Sequence, residues 1–211
     1  MRRPVGRRED FVNRVGGGTR TARAVYAMHT MDRRSDAELV IAARQGDLGA
    51  FAVLVERYRA PALRVAYGIA GNEAEDAVQD AFVKAYRKLE GFRTDAAFRP
   101  WLFTIVANEA RNRRRSSSRR SKLDLQVRDQ PRSAVAAVED VVARRDQRRR
   151  LLDVVASLPD RYREVVALRY FAGLSESETA EALSCPLGTT KSRLSRALNL
   201  LRTQLGEEVV S

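Results

Sequence analysis

From Ser35 to Leu205 the apolar residues recur at spacings of three and four, and no stretch shows the alternate-residue pattern of a strand. Stripes of that period are buried only by packing helix on helix, so the expected fold class is all-α. The pattern lapses once, in a Ser-, Arg- and Lys-rich stretch from residue 116 that includes Pro131. The chain is therefore expected to form two small helical bundles, residues 35–115 and 138–205, joined by a flexible basic linker, 116–137. A basic arm, 1–34, precedes them and a short tail, 206–211, follows.

Helix start and stop signals divide the blocks further. Ser35 or Asp36 can cap a helix to about Gln45, with Glu38 placed as the far member of a capping box. Asp47 opens a second, from about Leu48 to Ala70, in which Pro61 can introduce a kink. A third, Glu73 to Leu89, puts Ala74, Ala77, Val78, Ala81, Phe82, Ala85 and Leu89 on one stripe. The fourth starts at Phe98 or Arg99 and enters an arginine run. Helices at about 138–157, 160–171, 175–183 and 188–205 follow, separated by Leu158-Pro159, Ala172-Gly173 and Ser184-Cys185-Pro186.

Charge points to the partner class. The 211 residues hold 39 Lys and Arg against 27 Asp and Glu, a net charge of +12, and only four of the 39 are lysine. Arginine forks onto phosphates and guanine edges, so nucleic acid is the first partner to consider. The excess is uneven: +6 in residues 1–35, +7 in 110–135, but −2 in 36–109. The arm is either dispensable or a source of non-specific DNA attraction. With one cysteine, Cys185, and one histidine, His29, neither an internal disulfide nor a Cys/His zinc site can form. The chain reads as intracellular and not an enzyme, with no metal, no cofactor and no membrane insertion. A hydrolase triad lacks a placed histidine, and Gly188-Thr-Thr-Lys191 lacks the glycine loop of a P-loop. Glu73, Glu75, Asp76 and Asp80 leave open a magnesium-dependent nuclease, although surface pairing with Lys84 and Arg87 suits them better.

Three surfaces can carry function. Leu174 to Leu183, the turn Ser184 to Gly188, and Thr189 to Leu205 have a helix-turn-helix pattern. Behind a buried stripe of Leu194, Ala197, Leu198, Leu201 and Leu205, the last helix presents Lys191, Ser192, Ser195, Arg196 and Asn199. Cations mixed with short hydrogen-bonding side chains suit entry into a major groove. Asp76, Gln79, Asp80 and Val83 share one face of the third helix; read alone, this is a solvated face or a dock for a basic partner. Phe92, Phe98, Trp101 and Phe103, followed by Asn108, Asn112 and the arginines, combine core aromatics with a platform for unstacked bases.

Glu75-Asp-Ala-Val-Gln-Asp-Ala-Phe-Val-Lys-Ala-Tyr-Arg-Lys-Leu89, then Phe98-Arg-Pro-Trp-Leu-Phe-Thr-Ile-Val-Ala-Asn108 and Asn112, resemble region 2 of the extracytoplasmic-function sigma factors. Leu158-Pro-Asp-Arg-Tyr-Arg-Glu-Val-Val-Ala-Leu-Arg-Tyr170, Ser175 to Leu183, and Cys185-Pro-Leu-Gly-Thr-Thr-Lys-Ser-Arg-Leu-Ser-Arg-Ala197 resemble region 4 of the same family. The resemblance implies a dissociable subunit of bacterial RNA polymerase, working in the cytoplasm on the nucleoid. Asp76, Gln79, Asp80 and Val83 become contacts to the beta-prime coiled coil of core polymerase, and region 4 meets its beta flap. Lys84, Lys88, Phe92, Phe103, Ile105, Asn108 and Asn112 are implicated in capturing and gripping the melted minus-ten element of promoter DNA. Lys191, Ser192, Ser195 and Arg196 would read the minus-thirty-five element, with Arg193 and Arg202 nearer phosphates. An anti-sigma factor is a further implied partner. A larger side chain stands at the position of Ser195 in some relatives, so base preference there does not transfer, and Thr104 stands where a basic residue is common, so that backbone contact is not inherited. The alternative left open by the residues is a self-sufficient helix-turn-helix regulator.

Overall fold

The computed structural model describes residues 33–93, 96–123 and 151–205. Residues 1–32 of the expected arm, residues 124–150 and the tail 206–211 lie outside the described residues. All described regular structure is helical.

Local signals set the helix ends. Helix α1 is Asp36–Arg44, and Ser35 closes a capping box in which its hydroxyl accepts the Glu38 amide and the Glu38 carboxylate accepts the Ser35 amide at 2.6 Å. Asp47 caps α2, Leu48–Ala70, by accepting the Ala50 amide at 3.1 Å. This helix runs through Pro61. A 3-10 turn, Gly71–Glu73, leads to α3, Ala74–Lys88. All seven residues of the expected α3 stripe are buried. Helix α4 spans Phe98–Leu123 and so continues eight residues past the expected end of the first block. Its added turns carry Arg119 and Arg120, which bond the Arg115 carbonyl and Glu73. After helical residues 151–157 come α5, Asp160–Val166, a π-helical turn, Ala167–Phe171, then α6, Glu176–Ala182, and α7, Leu187–Leu205. Ser175 and Glu178 repeat the capping box at α6.

Helices α1 to α4 close over Leu39, Phe51, Leu54, Val65, Phe82, Phe103 and Val106. A second core gathers Val155, Leu158, Val165, Leu194, Ala197 and Leu201. Burying each Val, Leu or Phe among these is worth about 1.5–3 kcal/mol. The π-helical turn joins the two: Ala167, Leu168, Ala172 and Leu174 are buried within the first core. The bundles therefore share an apolar contact. The period of a stripe shows that a face is covered; it does not show which block covers it.

Close approach at this seam depends on two glycines. A Cβ on Gly68 of α2 would sit 3.1 Å from the Phe171 ring. Gly173 has φ +64° and packs against the Arg99 guanidinium, which donates to the Ala172 carbonyl. Gly173→Ala therefore adds a displaced Arg99 to the left-handed strain of roughly 1–2 kcal/mol. Gly46, with φ +98° and open space around it, carries the strain alone. In urea unfolding Gly173→Ala is expected to cost more than Gly46→Ala; equal losses would contradict the packing assigned to Gly173.

Candidate nucleic-acid interface

On α3, Asp76 and Gln79 are exposed, while Asp80 and Val83 are half-buried. The carboxylates are already engaged by the arginine run. Arg113 Nε donates to Asp80 Oδ2 at 2.9 Å, and Arg113 Nη1 reaches Asp76 Oδ2 at 3.4 Å. The Asp80 hydrogen bond is the main cause of a rise in the Arg113 pKa. Half-exposed pairs of this kind contribute about 0–1 kcal/mol, so a basic partner can replace Arg113 at little cost.

The residues implicated in minus-ten recognition divide by burial. Phe92, Phe103 and Ile105 belong to the core, with Phe103 0% exposed and edge-on to Tyr58. In this conformation Phe103 has no face open to a base. Burial, then a hydrogen bond to Asp36, raises the pKa of the Tyr58 phenol. Phe92 packs against Trp101 with ring centres 4.7 Å apart and planes tilted by 52°, and meets Phe98 edge-on at 6.0 Å. Lys88 and Asn112 are exposed. Asn108 is half-buried and its Oδ1 accepts from Arg111 at 2.6 Å. Lys84 pairs with Glu109. Half-buried Trp101 and Thr104 precede Asn108 and Asn112 at spacings of three and four, completing an accessible stripe along α4. That spacing was readable from the sequence, but the nearby aromatics read as a single cluster.

On α7, Thr190, Leu194, Ala197 and Leu201 are buried, and Lys191, Ser192, Ser195, Arg196 and Arg202 are exposed. The face read from the sequence is thus presented outward. Lys191 lies 3.6 Å from Glu176 of α6, and the Ser192 hydroxyl donates to the Thr189 carbonyl at 3.0 Å. Burial alone would raise the Tyr162 phenol, but hydrogen bonds and charge from Arg196 and Arg161 turn the net shift downward. Arg193 differs from its neighbours: it is half-buried and lines a cleft between the bundles. The turn before α7 places Ser184 at φ +50°, and Cys185 Sγ lies 3.2 Å from Thr190 Oγ1. Among the described residues no His, Cys, Asp and Glu side chains gather as a metal site, and no helix is long and apolar enough to cross a membrane.

The fold and the outward α7 face define a two-bundle helix-turn-helix protein. Residues 54–120 match the Sigma-70 region 2 family and residues 148–201 match Sigma-70, region 4. The chain is 32% identical over 184 residues to the ECF RNA polymerase sigma-E factor of Haemophilus influenzae, covering 82% of this chain and 97% of that one. It is 34% identical over 175 residues to the ECF RNA polymerase sigma-E factor of Escherichia coli K12, covering 79% and 92%. CnrH, solved in complex with the cytosolic domain of CnrY, superposes with a TM-score of 0.62 at 27% identity, covering 83% and 99%. The sigma factor RpoE of Bartonella quintana, solved with the anti-sigma factor NepR, gives 0.57 at 30% identity, covering 70% and 92%. The chain belongs to the extracytoplasmic-function (ECF) sigma factors.

Between α4 and α5, Arg111 Nε lies 2.9 Å from Glu164 Oε1 as an ion pair, although Nε makes no hydrogen bond. Burial raises the Glu164 carboxyl above its ordinary 4.5; the Asp160 charge adds to the rise and Arg111 opposes it. Between 4.5 and the raised native value, the folded protein keeps a proton that the unfolded chain has released. Stability therefore falls as pH rises through that window. Glu164→Gln removes this dependence. Unfolding free energies measured from pH 4.5 to neutrality should fall relative to the variant's; parallel curves would contradict the assignment.

Proposed function

We propose that this ECF sigma factor binds core RNA polymerase, recognises a two-part promoter and helps to open it, with no chemistry of its own. One observation carries the reading: an acidic partner face on α3 and a cationic reading face on α7 lie in separate bundles of one chain, both directed outward. Asp76, Gln79, Asp80 and Val83 dock the beta-prime coiled coil, exchanging the Arg113 pairs for pairs with the polymerase. Region 4 seats on the beta flap and reads the minus-thirty-five element through Lys191, Ser192, Ser195 and Arg196. Arg202 holds phosphate. Arg193 joins it once the bundles separate.

At the minus-ten element, extruding a base costs a few kcal/mol and stacking returns roughly 1–3 kcal/mol. The accessible groups Lys84, Lys88, Asn108 and Asn112 carry the contacts. Trp101 is the half-buried ring beside them, and Phe92 and Phe98 pack against it from within the core, where Phe103 lies edge-on to Tyr58. The factor acts in the cytoplasm, where polymerase and promoter meet. The relative solved with an anti-sigma factor supports a protein antagonist as a further partner.

Run-off transcription with purified core polymerase tests the reading. Initiation from a dedicated promoter is expected only when the protein is added; tight duplex binding by the protein alone, without initiation, would favour a self-sufficient regulator. Arg196→Ala should cost about 1–3 kcal/mol at one upstream base pair and relax specificity there. Equal losses on all sequences would make Arg196 a phosphate contact. Gln79→Ala with Asp80→Ala should weaken core binding while helicity is retained, and unchanged affinity would make the α3 face a plain solvated surface.

A further inference from the structure

The cleft between the bundles, about 250 Å³, is lined by six arginines: Arg111, Arg114 and Arg115 of α4, Arg161 and Arg163 of α5, and Arg193 of α7. Only Asp160 and Glu164 oppose them, beside Ile69. Three of the six are matched. Arg111 pairs with Glu164, Arg114 lies 3.3 Å from Asp160, and Arg163 bonds Asp160 and two main-chain carbonyls. Arg115 and Arg193 have no carboxylate partner among the described residues, and the Arg161 guanidinium rests 4.7 Å from the centre of the Tyr162 ring.

Guanidinium groups without a carboxylate partner among the described residues, on three different helices, thus line one cleft together with buried Arg163. Closing the bundles brings these like charges together, and an anion bridging them removes the repulsion. Guanidinium binds phosphate through paired N–H donors, so an anion with several phosphoryl groups can engage several arginines at once. A duplex, with a major groove about 12 Å wide, is too large to enter. We propose that the interbundle cleft binds a short oligophosphate, free or as the tail of a small molecule. Because the site exists only when the bundles are closed, the ligand favours the closed form. It thereby opposes promoter binding, which needs Arg193 on the DNA. This last consequence rests on the proposed function; the binding itself does not.

Calorimetric titration of the full chain with inorganic tripolyphosphate is expected to give one saturable site. Charge-assisted hydrogen bonds contribute enough that Arg115→Gln with Arg161→Gln should weaken it by about tenfold or more. Arg44→Gln with Arg87→Gln, the same charge change on α1 and α3, should alter it less than about twofold. Absence of a saturable site, or equal weakening by both pairs, would overturn the proposal. A short duplex oligonucleotide distinguishes free phosphate from nucleic-acid backbone. It should lose similar affinity with either pair, whereas a loss confined to the duplex and the cleft pair would assign these arginines to nucleic acid and overturn the proposal.

Discussion

A buried guanidinium holds the two halves of this molecule together. Arg163 is 2% exposed, and burying an unpaired charge costs several kcal/mol. The cost is offset by acceptors at all three nitrogens, which take four of the five N–H groups. Nε donates to the Leu158 carbonyl at 3.1 Å, Nη1 to the Ile69 carbonyl at 3.1 Å, and Nη2 to Leu158 and Asp160. Ile69 lies in the last turn of α2, where carbonyls lack helical partners, and it also accepts from Arg114 of α4 at 3.3 Å. One helix end of the first bundle is thus satisfied by side chains from both bundles. Burial, followed by the nearby Arg114 charge, lowers the Arg163 pKa, which reflects the crowding of cations at this point.

Around that anchor the seam combines weak and strong contacts. Tyr67 donates to Asp153 at 2.8 Å, Phe171 lies over Gly68, and Arg99 donates to the Ala172 carbonyl. The apolar contact of Leu168 and Leu174 with the first core supplies area, while the polar groups fix orientation. The faces proposed for polymerase on α3 and for the minus-thirty-five element on α7 stay accessible, apart from half-buried Arg193. A closed seam and an accessible α7 face therefore coexist, and of the proposed α7 contacts only that of Arg193 requires the bundles to part.

Helix boundaries were legible because their causes are local. The Ser35/Glu38 and Ser175/Glu178 capping boxes, the Asp47 cap and the Gly173 break each act within a few residues. The α7 reading face was legible for the same reason, since helical periodicity alone separates Leu194 and Ala197 from Ser195 and Arg196. Contacts between distant segments were not. Nothing local reveals that Arg113 folds back on Asp80, 33 residues away, or that Arg163 reaches Ile69 across 94. The basic run therefore reads as a free +7 tether, whereas Arg111, Arg113, Arg114 and Arg120 are spent on internal carboxylates. The burial of Phe103 and Ile105 was hidden for a related reason: aromatic and aliphatic side chains next to a binding stripe look alike whether they stack on a base or fill the core.

The closed pair of bundles in the free protein is held by Arg163. The most direct test of this closure is a pulsed-EPR distance between spin labels at Arg44→Cys on α1 and Thr203→Cys on α7, in a Cys185→Ser background. One narrow distribution is expected, lengthening and broadening on Arg163→Met while helicity is kept. A broad distribution in the parent, or one that Arg163→Met leaves unchanged, would contradict it.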